Sequence, residues 1–165
     1  QLGAGRIPKN HPRIHAVGAV DEATAALGAA RAQTACPELD ALIQTVQRDL
    51  YQIMSVISTT PEARAQLPPL DKDRVRWLEA QIQRIERETT PPGEFILPGD
   101  NPCSAAYAVA RTVTRRAERE VVGLHEDGLL DSPPILAYLN RLSSMCFALE
   151  LFTLEKDPTL AAEKP

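Results

Sequence analysis

The sequence predicts an all-α protein, a five-helix up-and-down bundle, and three observations carry that prediction. Apolar residues recur at steps of three and four along most of the chain. Aromatic residues make up only 4% of it, and the glycine-bounded runs of β-branched residues that mark strands are absent. Prolines fall where helices would begin, a position that tolerates the missing N–H. At 165 residues the chain has the length of one domain with its own core.

The first helix is expected over residues 13–34, where Ala23, Ala26, Ala29 and Ala30 would let neighbouring helices approach closely, and it stops before Pro37. The second has the clearest pattern: Leu39, Leu42, Ile43, Val46, Leu50, Ile53, Met54 and Ile57 mark one face, with Pro37 in the first turn. Val75, Leu78, Ile82 and Ile85 define a third helix, entered from Asp71 and Asp73, whose charge suits a helix N-terminus. Pro68 and Pro69 fence its start.

Residues 89–101, TTPPGEFILPGDN, break the spacing with three prolines and two glycines, so they form a structured loop. Its apolar triplet Phe95-Ile96-Leu97 needs burial somewhere. The fourth helix begins near Pro102 and turns Cys103, Ala106, Ala110, Val113, Ala117, Val121 and Leu124 inward, up to a turn at 126–128. The fifth spans about 133–156, with Ile135, Tyr138, Leu139, Leu142, Cys146 and Leu149 inward. Short connections make successive helices antiparallel neighbours. The bundle is thus assigned to 13–156, between a flexible segment at 1–12 and a tail at 157–165.

A formal charge of -4 argues against general nucleic-acid affinity, which needs a net basic face. No apolar run approaches the roughly 18 to 20 residues that span a bilayer, so a cytoplasmic protein is expected. Cys36, Cys103 and Cys146 are odd in number and contain no CxxC pair, which fits reduced thiols better than a disulfide framework or structural zinc. His11, His15 and His125 lack HExxH or similar spacing and read as solvated or capping residues, with no metal held by protein ligands alone.

The informative polar cluster lies on the fourth helix. Arg111, Arg115 and Glu118 stand at i, i+4 and i+7 and share a face, while Arg116, Arg119 and Glu120 project elsewhere. Two guanidinium groups on one stripe form a donor array suited to phosphate or carboxylate. A solvated face laced with ion pairs is the alternative. On the fifth helix Asn140 and Arg141 interrupt an apolar run, with Ser143 and Ser144 following, and a buried asparagine needs partners. Asp21 and Glu22 fall in an alanine- and valine-rich stretch where a carboxylate is costly unless paired; Arg111 or Arg115 is the natural partner, within a subunit or across a contact. Near the N-terminus, Gly3, Gly5, Arg6 and Lys9 combine flexibility with cations suited to wrapping phosphates, although an ordinary leader reads the same way.

Five segments in order resemble the PduO-type ATP:cob(I)alamin adenosyltransferases: Arg6-Ile7-Pro8-Lys9 with Pro12-Arg13, then 18–22 reading GAVDE, 95–99 reading FILPG, 110–119 reading ARTVTRRAER, and 138–143 reading YLNRLS. They span almost the whole chain. The resemblance implies a ferritin-like five-helix bundle assembled as a homotrimer, with ATP and a corrinoid bound at subunit boundaries. It implies transfer of the 5′-deoxyadenosyl group of MgATP to cob(I)alamin, with possible partners in a reductase and an adenosylcobalamin-dependent enzyme, and none in nucleic acid or membrane.

By the same resemblance Arg115 and Asn140 would contact ATP, Glu118 would hold the arginine array there, and Arg6 and Lys9 would belong to the phosphate-wrapping segment. The family's Thr-x-x-Gly-Asp-x-Gly-x-Thr stretch would stand just ahead of Leu2-Gly3. Asp21 and Arg111 would form an intersubunit ion pair that shapes the catalytic site. Phe95 would pack on the lower corrin face, with Leu97 and Ser144 nearby. Gly99-Asp100 replaces the family's Gly-Gly, Ser144 an aspartate, Thr24 an asparagine, and Tyr107-Ala108 a Leu-His pair. Two other readings keep the bundle: a non-catalytic corrinoid- or nucleotide-binding carrier or regulator, and a helical scaffold whose arginines serve only subunit contacts.

Overall fold

The computed structural model describes residues 6–59 and 70–156. Among them are five helices and no strand: α1 Pro12–Arg31, α2 Pro37–Ser58, α3 Lys72–Arg87, α4 Pro102–Glu126 and α5 Pro133–Glu155. Four of these start with proline in the first turn. Side chains cap the orphan N–H groups of α1, α3 and α4, whereas α2 and α5 have no side-chain cap. His11 Nδ1 accepts from the Arg13 amide at 3.1 Å, which makes it the capping histidine of α1. Asp71 Oδ1 accepts from the amides of Asp73 and Arg74 at 3.0 and 3.1 Å, and Asn101 Oδ1 from that of Ser104 at 2.7 Å.

The helices run up and down. α1 lies between α2 and α4, and α5 packs on both α4 and α3. Every position of the predicted α2 stripe is buried, as are the six inward positions of α5. In α3 the stripe fades at its start, where Val75 is only half-buried. α1 stops at Arg31, three residues short of the expected end; Gln33 and Thr34 close it with backbone bonds to Ala30 and Arg31. In α4 Tyr107 and Thr114 are fully buried, whereas Cys103, Ala106 and Val113 lie at the core's margin. The turn from α4 to α5 needs Gly128, whose φ of 67° lies in the left-handed region, and the amides of Leu129 and Leu130 then both reach back to the Leu124 carbonyl.

α5 is long and apolar enough, by length and composition, to cross a bilayer, although Asn140, Arg141 and Glu150 broke up the run in the sequence. More than half of that window is buried against the other helices, as befits the core helix of a bundle. A buried polar contact joins three helices there. Tyr138 of α5 donates its hydroxyl to Asp49 Oδ2 of α2 at 2.6 Å, and the same oxygen accepts from Arg74 Nη2 of α3 at 2.5 Å. Arg74 also lies over the Trp77 ring, 4.1 Å from its centroid. Burial, together with the neighbouring Asp49 carboxylate, pushes the Tyr138 phenol well above its ordinary value.

Arg13 fixes one end of the bundle. Its guanidinium donates to the Ile57 carbonyl at 2.8 Å and to the Leu129 carbonyl, tying the start of α1 to the end of α2 and to the α4–α5 turn. Residues 6–11, which carry Arg6 and Lys9, therefore lie at the end of the molecule where α4 finishes and α5 begins. The loop at 88–101 lies at the other end, where Thr90 bonds Glu155 through both its amide and its hydroxyl.

Candidate active site

Arg115 and Asn140 line one cleft, about 290 Å³ in volume, together with Glu118, Arg119, Val122, Gly123 and Glu126. α4 supplies most of it because its outer stripe is polar, and α5 contributes Asn140 about two turns into the helix. The Asn140 amide donates to Glu118 Oε1 at 2.8 Å across the helix pair. Asn140 is exposed, not buried as its apolar surroundings in the sequence suggested, and its partner is this carboxylate. Ser143 does not enter the cleft; its hydroxyl bonds the Asn140 carbonyl at 2.8 Å.

Two expectations about the arginines need correction. Arg119 does not project elsewhere: it is one turn beyond Arg115 and reaches the same cleft, which leaves two exposed guanidinium groups beside Asn140. Arg111, although on the Arg115 stripe, does not line the cleft. Its Nε donates to Glu150 Oε2 of α5 at 3.2 Å, and its Cζ lies 5.8 Å from the Phe147 ring centroid.

Asp21 and Glu22 are both exposed on α1, so neither carboxylate carries the burial cost the sequence implied. Within the chain Glu22 pairs with Arg116, not with Arg111 or Arg115. Asp21 stands on the surface facing outward from the bundle, and its carboxylate makes no ion pair among the described residues. Arg6 and Lys9 are exposed in the turn ahead of α1. Gly3 and Gly5 lie outside the described residues.

The FILPG loop finds no cover within its own chain. Phe95 is 97% exposed and Leu97 78%, and only Ile96 is partly covered, so within one chain the triplet is not buried. Gly99 has a φ of 135°, a backbone conformation that excludes ordinary side chains and makes that glycine necessary to the turn. Pro102, where this loop ends, and Arg115 are separated by about 20 Å along α4 at 1.5 Å per residue. Ser144 is half-buried on α5, one turn beyond Asn140. One chain thus places the exposed aromatic loop and the arginine cleft apart.

A larger cavity, about 530 Å³, opens at the loop end between the end of α1 and the starts of α2 and α4. Thr34, Cys36, Cys103, Asn101 and Phe152 line it, and Lys156 at its edge lies over Phe152 at 5.6 Å. It lacks the paired guanidinium groups of the smaller cleft. All three cysteines are free thiols. Burial pushes the Cys146 thiol up to about 12 and the Tyr107 phenol above its ordinary range, although Thr34 bonds that phenol at 2.9 Å. Among the described residues no group of three or more His, Cys, Asp or Glu side chains converges as a metal site.

Sequence reasoning missed Arg119, Asp49 and Glu150. For Arg119 a signal existed, its i+4 spacing from Arg115. For the two buried acids there was none, because their partners lie on other helices.

The chain matches the cobalamin adenosyltransferase family model over residues 1–153. It is 34% identical over 151 residues to a corrinoid adenosyltransferase of Bacillus subtilis, covering 89% of this chain and 77% of the relative. A corrinoid adenosyltransferase of Mycobacterium tuberculosis is 36% identical over 155 residues, covering 87% and 77%. Among solved structures, a variant PduO-type ATP:corrinoid adenosyltransferase from Lactobacillus reuteri complexed with ATP superimposes with a TM-score of 0.84 at 28% identity, covering 96% of this chain and 91% of that one. A second variant of that enzyme, complexed with cobalamin and ATP, gives 0.76 at 28% identity over 92% and 86%. Five helices in this order, a two-arginine cleft on the fourth and these matches over nearly the whole length place the chain in the cobalamin adenosyltransferase family.

Proposed function

We propose that this chain transfers the 5′-deoxyadenosyl group of ATP to the reduced cobalt of a corrinoid such as cobalamin, and that the α4–α5 cleft grips the polyphosphate. The Co(I) lone pair forms the cobalt–carbon bond to C5′, the C5′–O bond breaks, and its electron pair leaves on triphosphate. The observation that carries the reading is the meeting of Arg115, Arg119 and Asn140 in one cleft, with Glu118 bonded to Asn140. Fixed donors aimed at a leaving group that gathers charge lower the barrier more than mobile ones, because they need not reorganise as the bond breaks.

Arg115 and Arg119 would neutralise phosphate oxygens, and Asn140, oriented by Glu118, would supply a neutral donor. Arg6 and Lys9 sit at the same end of the bundle and would close over the phosphates. Mg²⁺ fits as a companion of ATP: it needs only one or two protein oxygens when phosphates and water supply the rest, and Glu118 and Glu126 are the carboxylates of the cleft. When bound, it would add charge neutralisation on the leaving triphosphate.

The exposed Phe95 and Leu97 support a site completed between subunits, as in a homotrimer. Large apolar side chains left in water favour being covered by a corrin face or a neighbouring chain. Phe95 beneath the corrin, with Leu97 and Ser144 beside it, would deny the cobalt an axial ligand and favour its low-coordinate form. Asp21, exposed on α1, would meet Arg111 of a neighbouring subunit at that seam.

Anaerobic incubation with cob(I)alamin and MgATP tests the reaction by the visible spectrum. A cobalt–carbon product is expected; corrinoid binding without turnover would overturn the enzyme in favour of a carrier.

A further inference from the structure

Glu150 is a carboxylate in an unfavourable place. It is 2% exposed, in the second half of the core helix α5, and Arg111 Nε at 3.2 Å is the cation it bonds. The Cys146 thiol one turn earlier is fully buried and held neutral, and the buried Thr114 hydroxyl lies beside that thiol. Taking a carboxylate out of water costs several kcal/mol, and a buried ion pair is seldom more stable than a well-packed apolar replacement. Stability alone therefore gives no reason for an acid at this position.

The geometry gives another. Arg111 is not buried; 31% of its side chain is exposed, so its guanidinium stands at the surface on the same stripe as Arg115. Glu150 holds it from below through Nε, and Phe147 covers one side. A guanidinium fixed at Nε keeps its two terminal nitrogens together on the outward edge, which pre-organises a fork for an oxyanion or carboxylate. Without the acid beneath it, the long side chain would sample several rotamers, and that freedom would be lost again on each binding event.

We propose that Glu150 is a positioning residue for the transfer reaction, acting through Arg111, whose outward fork it aims at the ATP-binding seam. This rests on the reading that Arg111 belongs to that seam. Glu150→Met removes the charge while conserving volume, and Arg111→Ala removes the group acted upon. For Glu150→Met the expected result is a Tm no lower than that of the parent, a KM for ATP raised about tenfold and a kcat within about threefold. In the Arg111→Ala background the same substitution should leave KM unchanged, because the two act as one unit.

Glu150→Gln keeps an acceptor for Nε and should raise KM only about threefold, again with no effect once Arg111 is gone; it carries the test if Glu150→Met does not fold. A lowered Tm with KM unchanged would make Glu150 a purely structural residue and overturn the proposal. So would a KM increase that persists without Arg111. Should Arg111→Ala itself leave KM untouched, the underlying placement of Arg111 fails, an outcome distinct from failure of Glu150 to position it.

Discussion

The side-chain amide of Asn140 on α5 donates to Glu118 Oε1 on α4 at 2.8 Å, and this bond joins two helices into one polar cleft. Asn140→Ala would free the Glu118 carboxylate to turn toward Arg115 or Arg119 and compete with phosphate for them. The expected result is a rise of about tenfold or more in KM for ATP, with the helical signal unchanged. Steady-state kinetics at saturating corrinoid, paired with circular dichroism, would check both halves.

Arg115 is exposed and contributes nothing to the core, so its removal separates function from folding. Arg115→Ala is expected to lower kcat/KM for ATP by about a hundredfold, the scale of losing one charge-stabilising group, with Tm within about 2 °C of the parent. Parent-like turnover would remove it from the site.

Phe95 is almost wholly in solvent, so Phe95→Ala should not weaken the folded chain. Covering a phenyl ring gains about 2 kcal/mol, which corresponds to roughly thirtyfold in affinity. Transfer at limiting corrinoid should fall by that order while ATP binding holds. Unchanged corrinoid dependence would leave the aromatic loop without a role in that substrate's site.

Tyr138→Phe removes one of the two hydrogen bonds to the buried Asp49 Oδ2 and should cost about 1 to 3 kcal/mol, read from the urea midpoint. Asp49, Tyr138 and Arg74 lie on three different helices, so the loss should appear as reduced global stability and not as local fraying.

Alkaline pH should weaken the fold. The Cys146 thiol is raised by burial from an ordinary 9.0 to about 12, so the folded state holds its proton where the unfolded chain would release it. The stability this group provides is fully present below about pH 9 and is lost as pH rises toward about 12. Tyr107 and Tyr138 are raised in the same direction by burial and add to the same trend. Denaturation midpoints from pH 8 to 11 should decline, and phenolate absorbance from these two tyrosines should appear only with unfolding.

The helices were legible because each face repeats within its own stretch of chain: the stripe from Leu39 to Ile57 states its buried side without reference to anything else. The cleft was half legible. Arg115, Glu118 and Asn140 came together as their motifs suggested, yet Arg119 was set aside although it stands one turn from Arg115, well within guanidinium reach. What a single helix cannot encode is which residue of another helix will meet it. Arg111 turned to Glu150, Glu22 to Arg116, and Asp49 to Tyr138 and Arg74; each pairing depends on how two cylinders cross. Phe95 is a different case: its spacing announced an apolar group, but nothing in the sequence says whether a chain's own core or something outside it provides the cover.

The two carbonyl bonds of Arg13 also set a leash. From that clamp to Lys9 is four residues, at most about 14 Å of extended backbone, whereas α4 alone is about 37 Å long. The Lys9 ammonium can sweep only one pole of its own subunit, so whatever charge it meets must be delivered to that pole.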